Sequence, residues 1–450
     1  MSDTRTRLPN ELGTSLQAGD DAATAELLDE LVHTGEITEI LEALTSDDRR
    51  RLAVVLEDNE PAELLEDLDP IEAAEILSAL TIDQAARVLE TVDTDNAVDI
   101  VSEIESDRAE QILVAMDFET ARELRELLVY PPDTAGGRMT PAFVSVDPHL
   151  RADQAVVALR QVAQEAETIY YVYVTDNDDK LLGVLSLRNL VLSPPETPVS
   201  DLMVRQMIAV LDTADQEIAA RTLNEHDLLA LPVVDEAYRL LGIITADDVA
   251  DILEEEATED IERLGGSEPL EEPYLRASPF LLWRKRVVWL LVLFLAAAYT
   301  TTVLQYFEDE LDAAVALAFF IPLLIGTGGN VGSQVVTTIV RAMAVEDIRL
   351  GDIVRVVSKE ARVGVMLGLV MSAVMFGRAV MLRTGFDIAL IVASSVLIIV
   401  FWATLVGSVL PLALRRVGVD PAVVSAPLIS TLVDGTGLII YFMIARVVLT

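Results

Sequence analysis

The stretch AVVSAPLISTLVDGTGLIIYFMIA, residues 422–445, is long and apolar enough to cross a membrane, yet it holds an acid near its middle. At ~1.5 Å per residue, a helix of this length spans the ~30 Å hydrocarbon core of a bilayer. An ionised carboxylate at that depth is costly unless it faces water, an ion or a partner. Asp434 is therefore a candidate cation ligand. The alternative is a protonated carboxyl that hydrogen-bonds a neighbouring helix.

Four other apolar stretches precede it, at residues 287–304, 313–340, 361–380 and 388–414. Together the five stretches predict an all-α polytopic membrane domain. The second contains Gly326-Thr-Gly-Gly-Asn-Val-Gly-Ser-Gln334, in which three of the first four residues are glycine. We expect the helix to unwind here and to present carbonyls to a water-filled path. The alternative is close helix packing through Gly328 and Gly332.

The part of the chain before these spans is strongly acidic. Of the 74 acidic and 32 basic residues, 63 acids but only 19 bases precede Trp283. Such a surface repels phosphate, which excludes a nucleic-acid partner bound through a basic patch. The chain has no cysteine and only three histidines, so thiolate metal sites are excluded and a histidine zinc site is not expected.

Basic residues flank the five spans unequally. Ten fall on one side of the membrane and three, Arg378, Arg383 and Arg446, on the other. Because cytoplasmic loops carry the excess of Lys and Arg, we expect a multi-pass protein of the plasma membrane with its N-terminus in the cytoplasm and its C-terminus outside.

Between residues 61 and 128 the apolar positions repeat every twelve residues. One phase of the repeat is alanine, at Ala73, Ala85, Ala97, Ala109 and Ala121. Apolar positions three and four apart, with Asp or Pro at the junctions, predict one short helix and one turn per unit. Stacked units make an α-helical solenoid, which serves either as a docking scaffold or as a metal-sensing surface.

Two copies of an α/β unit follow, about sixty residues apart. In the first copy, residues 170–174 and 181–185 predict two strands before a helix. Residues 231–234, residues 240–244 and a helix from Asp247 repeat that order in the second copy. The chain therefore contains a tandem α/β pair.

Each α/β copy resembles a CBS domain, and the pair resembles a Bateman module. Gly242, Thr245 and Asp248 of the second copy stand where nucleotide-binding CBS domains hold ribose and phosphate. The resemblance makes them candidate ATP-binding residues. The alternative is a helix N-cap.

The order of domains resembles the MgtE family of magnesium transporters and channels over nearly the whole chain. The matching motifs include residues 326–334, Thr431-Leu-Val-Asp-Gly-Thr-Gly437 and Asp133-Thr-Ala-Gly-Gly-Arg-Met-Thr-Pro141. The resemblance implies a homodimer in the lipid bilayer, with a pore on its two-fold axis between the second and fifth spans. Pore-lining positions would be Gly326, Gly328, Gly329 and Asn330. Ala426 stands where a polar Asn is expected, which leaves fewer oxygens at that level.

The domain prediction has five parts. They are a helical N domain at 1–130, CBS domains at 131–200 and 201–254, a connecting plug helix at 255–282 and the membrane domain at 283–450.

Carboxylates gather where these domains are expected to meet, and we expect them to sense cytoplasmic Mg²⁺. In the second CBS copy, the plug helix and the last loop they are Asp227, Asp248, Asp251, Glu256, Glu259, Asp260 and Asp420. Glu63, Asp95 and Asp99 of the solenoid match sensor acids of the family. Bridging Mg²⁺ would hold the plug helix at the pore mouth. The alternative is a solvated acidic surface suited to high salt.

These features predict a channel or transporter with Mg²⁺ as its cargo and regulator and ATP as a candidate second regulator. Mg²⁺ suits carboxylate and carbonyl oxygens because it is a hard cation that keeps part of its water. One alternative is a pore for Co²⁺ or another divalent ion. The other is a nucleotide-sensing CBS receptor without permeation. No catalytic triad or P-loop is found in the sequence, so we do not expect an enzyme.

Overall fold

The computed structural model describes residues 68–162, 166–270, 274–275, 277–345 and 347–449, with seven isolated positions before residue 68. The chain divides into two compact units, Met1–Glu254 and Glu255–Thr450. Each unit is described by itself below.

In the first unit, five short helices begin at intervals of twelve residues. They are α1 (Pro70–Ala79), α2 (Ile82–Leu89), α3 (Thr94–Glu103), α4 (Ser106–Ala115) and α5 (Phe118–Leu127). The alanine phase of the repeat is buried in all five. Side chains of Asp69, Thr81 and Asp117 cap three of the helices by accepting backbone N–H groups. The predicted unit of one helix and one turn is confirmed.

Two three-stranded sheets follow, each with its strands in sequence order. The first copy contains β1 (Ser145–Val146), α6 (Ala152–Val162), β2 (Tyr171–Thr175), β3 (Leu181–Ser186) and α7 (Leu187–Leu192). After α8 (Val199–Leu202), the second contains β4 (Val210–Leu211), α9 (Gln216–Glu225), β5 (Ala230–Val234) and β6 (Leu240–Thr245). In both sheets the first pair of strands is parallel and the second antiparallel, which confirms the tandem repeat.

Each sheet is extended at one edge by a bridge to a residue that lies outside its own copy. Thr140, before the first sheet, pairs with Ile243 of the second, and Val204, between the copies, pairs with Val184 of the first. Next to Thr140, Met139 packs so closely on Gly242 that a Cβ there would lie 2.8 Å from Met139 Cγ. The glycine at this place is therefore required by the edge strand.

A long helix, α10 (Ala246–Gly265), starts directly after β6. It ends where Gly266 adopts a left-handed φ of 78°. The N–H groups of Gly266 and Ser267 then bond back to the carbonyls of Arg263 and Glu262, in the pattern of a Schellman motif. The predicted bounds of the plug helix, 255–282, are therefore wrong. The observed helix starts earlier, within the second α/β copy, and stops at Gly265.

Among its described residues, the second unit contains five helices that are long and apolar enough to cross a membrane. The described helices after α10 are α11 (Pro279–Tyr306), α12 (Glu308–Ala313), α13 (Ile321–Ala344), α14 (Ile353–Met381), α15 (Phe386–Arg416) and α16 (Ala426–Leu449). The spans are α11, residues 315–344 with α13, then α14, α15 and α16. All five predicted spans are confirmed.

Helix α15 forms the centre of this bundle. It packs against α13, α14 and α16, and its buried residues include Ile391, Val396 and Ala403. Helix α16 also packs against α11 and α13. The residues around Asp434 are thus surrounded by three spans.

Candidate functional site

Asp434 lies in the middle of α16, which is helical throughout. Its Oδ1 atom is inaccessible to solvent and has no hydrogen-bond partner among the described residues. A buried carboxylate oxygen without a donor is costly, since it has lost its water and gained nothing in return. The interhelical hydrogen bond that was the alternative for this acid is not made by Oδ1.

The turn that carries Asp434 is contacted by two other spans. The Tyr299 hydroxyl of α11 donates to the Leu432 carbonyl at 3.0 Å. Thr436 donates to the same carbonyl at 2.7 Å and accepts a hydrogen bond from Trp402 Nε1 of α15 at 3.0 Å. No sequence pattern singled out these three side chains, although Thr436 lies only two residues after Asp434.

Helix α13 is continuous through the glycine-rich segment, so the expected unwinding is wrong. The physical reason is close packing against α16. A Cβ at Gly328 would lie 2.7 Å from Val433 Cγ1, and one at Gly329 would lie 2.5 Å from Ser430 Oγ. Gly332 makes a similar contact with Ile429. The packing alternative accounts for these glycines.

Gly326 and Asn330 differ from the two buried glycines. Both are exposed on the surface of the unit, and a Cβ at Gly326 would meet nothing within 4 Å. Of the four predicted pore-lining positions, Gly328 and Gly329 therefore pack against α16, whereas Gly326 and Asn330 lie on an exposed face of α13.

The start of α16 is surrounded by polar contacts from other elements. The Ser333 hydroxyl of α13 donates to the Ala426 carbonyl at 3.2 Å. Trp289 Nε1 of α11 donates to Ser425 Oγ at 3.2 Å. The Trp289 ring lies against Gly266, so the turn that ends α10 reaches this end of α16.

Within the first unit, the structure brings Asp95 of α3 and Asp248 of α10 together. Burial, followed by the charges of Asp248 and Glu167, raises the pKa of Asp95 to about 7. Its Oδ1 has no hydrogen-bond partner among the described residues. Burial also raises the pKa of Asp248, against the opposing effect of its hydrogen bonds from Thr245. Glu167 is a further acid of this group that the sequence analysis did not single out as a sensor.

Arg138 provides positive charge beside the same group. Its guanidinium lies 3.6 Å from Asp99 Oδ2, and its Nε donates to Gln216 at 2.9 Å. Its charge lowers the pKa of Asp251, although burial and two neighbouring acids raise that pKa overall. Asp95, Asp99, Asp248 and Asp251 thus share one neighbourhood, which Arg138 partly neutralises.

One other predicted sensor position of the first unit lies outside this group. Asp227 is exposed and has a left-handed φ of 49°, and it follows His226, the C-cap of α9. Glu63 lies outside the described residues.

In the second unit, Arg263 of α10 contacts two predicted sensor acids. It forms ion pairs with Glu259, one turn earlier, and with Asp420 in the loop before α16. Asp420 also caps the following 3₁₀ turn by accepting from the Ala422 N–H at 2.8 Å. Glu256 and Asp260 lie half-buried on the same helix. No group of three or more His, Asp or Glu side chains in the described part of the chain forms a ready-made metal site.

Two of the three predicted nucleotide-binding residues, Thr245 and Asp248, hydrogen-bond each other. Thr245 precedes α10, and both its N–H, at 3.1 Å, and its hydroxyl, at 2.6 Å, donate to Asp248 Oδ2. Gly242 is covered by Met139, and Thr245 is only 6% exposed. These residues form a helix cap and do not present an open cradle for a nucleotide in this structure.

A helical solenoid, a tandem CBS-like pair and a five-helix membrane bundle that contains a half-buried carboxylate define a polytopic cation-transport protein. Family models agree: MgtE, a divalent cation transporter, matches residues 321–444, the MgtE intracellular N domain matches 32–133, and the CBS domain matches 135–195 and 199–255. The chain belongs to the MgtE family. This is a family of transporters and not of enzymes.

The chain is also similar to curated magnesium transporters and to solved structures of their soluble parts. The magnesium transporter MgtE of Thermus thermophilus is 47% identical over 74% of this chain and 74% of its own length. The magnesium transporter MgtE of Bacillus subtilis is 36% identical over 72% of each. The crystal structure of the cytosolic domain of the Mg²⁺ channel MgtE in complex with ATP has a TM-score of 0.50 and 36% identity, and covers 54% of this chain and 99% of that one. The soluble part of a magnesium transporter also has a TM-score of 0.50, with 33% identity over 56% of this chain and 99% of that one.

Proposed function

We propose that this protein carries Mg²⁺ across the plasma membrane and that Asp434 is the carboxylate that contacts the ion. The observation that supports this most directly is the buried, unpartnered Oδ1 of Asp434 in the fifth span. A cation beside this oxygen would offset the cost of burying it. The relatives that are named magnesium transporters support Mg²⁺ as the cargo.

The transporting form in this proposal is a homodimer. One carboxylate balances only half of the charge of a divalent ion, whereas two Asp434 side chains facing each other across a two-fold axis balance all of it. The ion would keep much of its water, because Mg²⁺ is held by few protein ligands. The exposed positions Gly326 and Asn330 of α13 would then line the water-filled path.

Uptake into liposomes tests this proposal. Mg²⁺ flux into vesicles with the purified wild-type protein is compared with flux for Asp434→Ala and Asp434→Asn. We expect the alanine variant to be a folded dimer without flux and the asparagine variant to retain reduced flux, since its amide oxygen is a weaker ligand. Normal transport by Asp434→Ala would rule out the assignment.

Competition between ions separates Mg²⁺ from the alternative cargo. No span offers a His or Cys, the ligands that favour softer metals. We therefore expect excess Mg²⁺ to suppress Co²⁺ uptake more strongly than excess Co²⁺ suppresses Mg²⁺ uptake. A receptor without permeation, the other alternative, predicts no flux in the same vesicles.

We further propose that the acidic half lies in the cytoplasm and closes the pore when cytoplasmic Mg²⁺ is abundant. The carboxylates of Asp95 and Asp248 repel each other without a cation, and a bridging Mg²⁺ would remove that repulsion. At the membrane end, Mg²⁺ would bind Glu259, Asp260 and Asp420 and hold α10 at the pore mouth. Several weak sites that favour one closed state give a steep response.

For ATP, the supporting observation is the relative whose cytosolic domain is described in complex with ATP. We propose that the CBS pair of this chain also binds ATP as a regulator without turnover. The hydrogen bonds between Thr245 and Asp248 mean that these two residues reach a nucleotide only if their cap opens.

A further inference from the structure

Side chains from two other spans hold the turn of α16 that carries Asp434. Tyr299 of α11 and Thr436 of α16 both donate to the Leu432 carbonyl, at 3.0 and 2.7 Å. Trp402 of α15 donates in turn to the Thr436 hydroxyl at 3.0 Å. One helical turn is thereby tied to α11 and to α15.

The ring of Tyr299 is held as closely as its hydroxyl. A Cβ on Gly435 would lie 1.9 Å from Tyr299 Cζ, so only glycine lets the ring reach the backbone of α16 here. Gly435 is the next residue after Asp434. The ring therefore contacts the backbone of α16 directly beside the acid.

The hydroxyls of Tyr299 and Thr436 donate to the Leu432 carbonyl, and Trp402 Nε1 donates to the Thr436 hydroxyl. None of them reaches Asp434 Oδ1, which has no hydrogen-bond partner among the described residues. A donor on that oxygen would occupy lone pairs that a cation needs. The network thus fixes the turn and leaves this oxygen without a hydrogen-bond donor in the described part of the chain.

We propose that Tyr299, Thr436 and Trp402 are positioning residues that set the depth and orientation of Asp434, and through it the affinity of the pore for its cation. This inference rests on the proposed function, in which Asp434 contacts the ion. Mg²⁺ demands near-ideal octahedral geometry with ligands at ~2.1 Å, so a small displacement of the carboxylate or of the waters it orients weakens binding.

The test measures Mg²⁺ uptake into vesicles with the full-length protein as a function of Mg²⁺ concentration. This gives the half-saturating concentration and the maximal rate separately. Tyr299→Phe removes the hydroxyl and keeps the ring, and we expect the half-saturating concentration to rise about threefold to tenfold. Thr436→Val and Trp402→Phe should shift it in the same direction. The effects of Tyr299→Phe and Trp402→Phe should not add, because both act on one turn.

Tyr441→Phe is the matched control. It removes the same kind of bond, from the Tyr441 hydroxyl to the Leu317 carbonyl at 3.0 Å, about two turns further along α16. The proposal is supported if Tyr441→Phe leaves the half-saturating concentration unchanged while Tyr299→Phe and Thr436→Val raise it. It is overturned if the control shifts that concentration equally, or if none of the network variants shifts it.

Asp434→Ala in the same vesicles separates the two levels of inference. Normal uptake by this variant overturns the role of Asp434 and the positioning role with it. Lost uptake by Asp434→Ala, together with an unchanged half-saturating concentration in Tyr299→Phe, Thr436→Val and Trp402→Phe, overturns the positioning role alone.

Discussion

Asp95 and Asp248 lie close enough for the charge of Asp248 to raise the pKa of Asp95, in addition to the larger effect of burial. One residue belongs to a solenoid helix and the other to the first turn of α10. Their proximity costs electrostatic free energy whenever both are ionised. A proton or a divalent cation would relieve this cost, which makes the pair sensitive to pH and, as we propose, to Mg²⁺.

The first prediction concerns pH in the absence of Mg²⁺. The pKa of Asp95 is raised from 3.8 to about 7, so the folded state favours its protonated form. The contribution of this carboxyl to the free energy of unfolding is fully present below about pH 4 and is lost as the pH rises through about 7. In chelator, Asp95→Asn should therefore be more stable than the wild type at pH 8, by on the order of a few kcal/mol, and the two should converge towards pH 4.

Thermal unfolding of the full-length protein measures this difference. Asp83→Asn, which neutralises an exposed carboxylate on α2, is the control and should leave the pH profile of the wild type unchanged. Parallel profiles for the wild type and Asp95→Asn would contradict the prediction.

Several features of the fold were predictable because they depend on local sequence. The helices from Pro70 to Leu127 follow from a twelve-residue period, and the five spans follow from length and hydropathy. Asp434 was identifiable because a lone acid in an apolar span is costly by itself.

Features that depend on distant contacts were not predictable in this way. Glycines in α13 suggested an unwound segment, but Val433 and Ser430 of α16 fill the space beside Gly328 and Gly329 and keep the helix intact. The ion pair of Arg263 with Asp420 joins residues far apart in the chain. No periodicity or spacing indicates such a pair.

The second prediction tests the proposed sensor. The variant that combines Asp248→Asn, Asp251→Asn, Glu259→Gln and Asp260→Asn should keep conducting at internal Mg²⁺ concentrations that close the wild type. The reason is that bridging cations lose their ligands and the closed state loses their binding free energy. Mg²⁺ flux or current at graded internal Mg²⁺ measures the effect.

A control with the same change of charge is available in the solenoid. Asp107, Glu119, Glu123 and Glu126 are exposed. Replacing them with Asn or Gln should leave closure unchanged. If both quadruple variants close at the wild-type concentration, the acids near α10 belong to a solvated surface and not to a sensor.

The third prediction concerns ATP. Calorimetry with the full-length protein should detect ATP binding, and Asp248→Ala should weaken it. Because Asp248 also caps α10, this variant should lose ~1 kcal/mol of stability whether or not ATP binds. Asn189 occupies the corresponding position of the first CBS copy. Comparing ATP binding by Asn189→Ala and by Asp248→Ala shows whether the nucleotide binds at the second copy. Absence of heat with ATP in the wild type would leave Thr245 and Asp248 with the capping role alone.

The last prediction follows from Arg263, whose guanidinium pairs with Glu259 and Asp420. A cation bound by these two carboxylates must compete with the arginine for their oxygens. Arg263→Gln removes the competing charge, so Mg²⁺ should close the pore at a concentration about threefold lower than in the wild type, as expected for ion pairs that are only partly buried. Flux at graded internal Mg²⁺ measures this shift. Arg125→Gln, which breaks an exposed pair with Glu110 in the solenoid, should cause none. If Arg263→Gln instead requires more Mg²⁺ to close, the arginine stabilises the closed state itself, and Glu259 and Asp420 are its partners and not ligands of the regulatory ion.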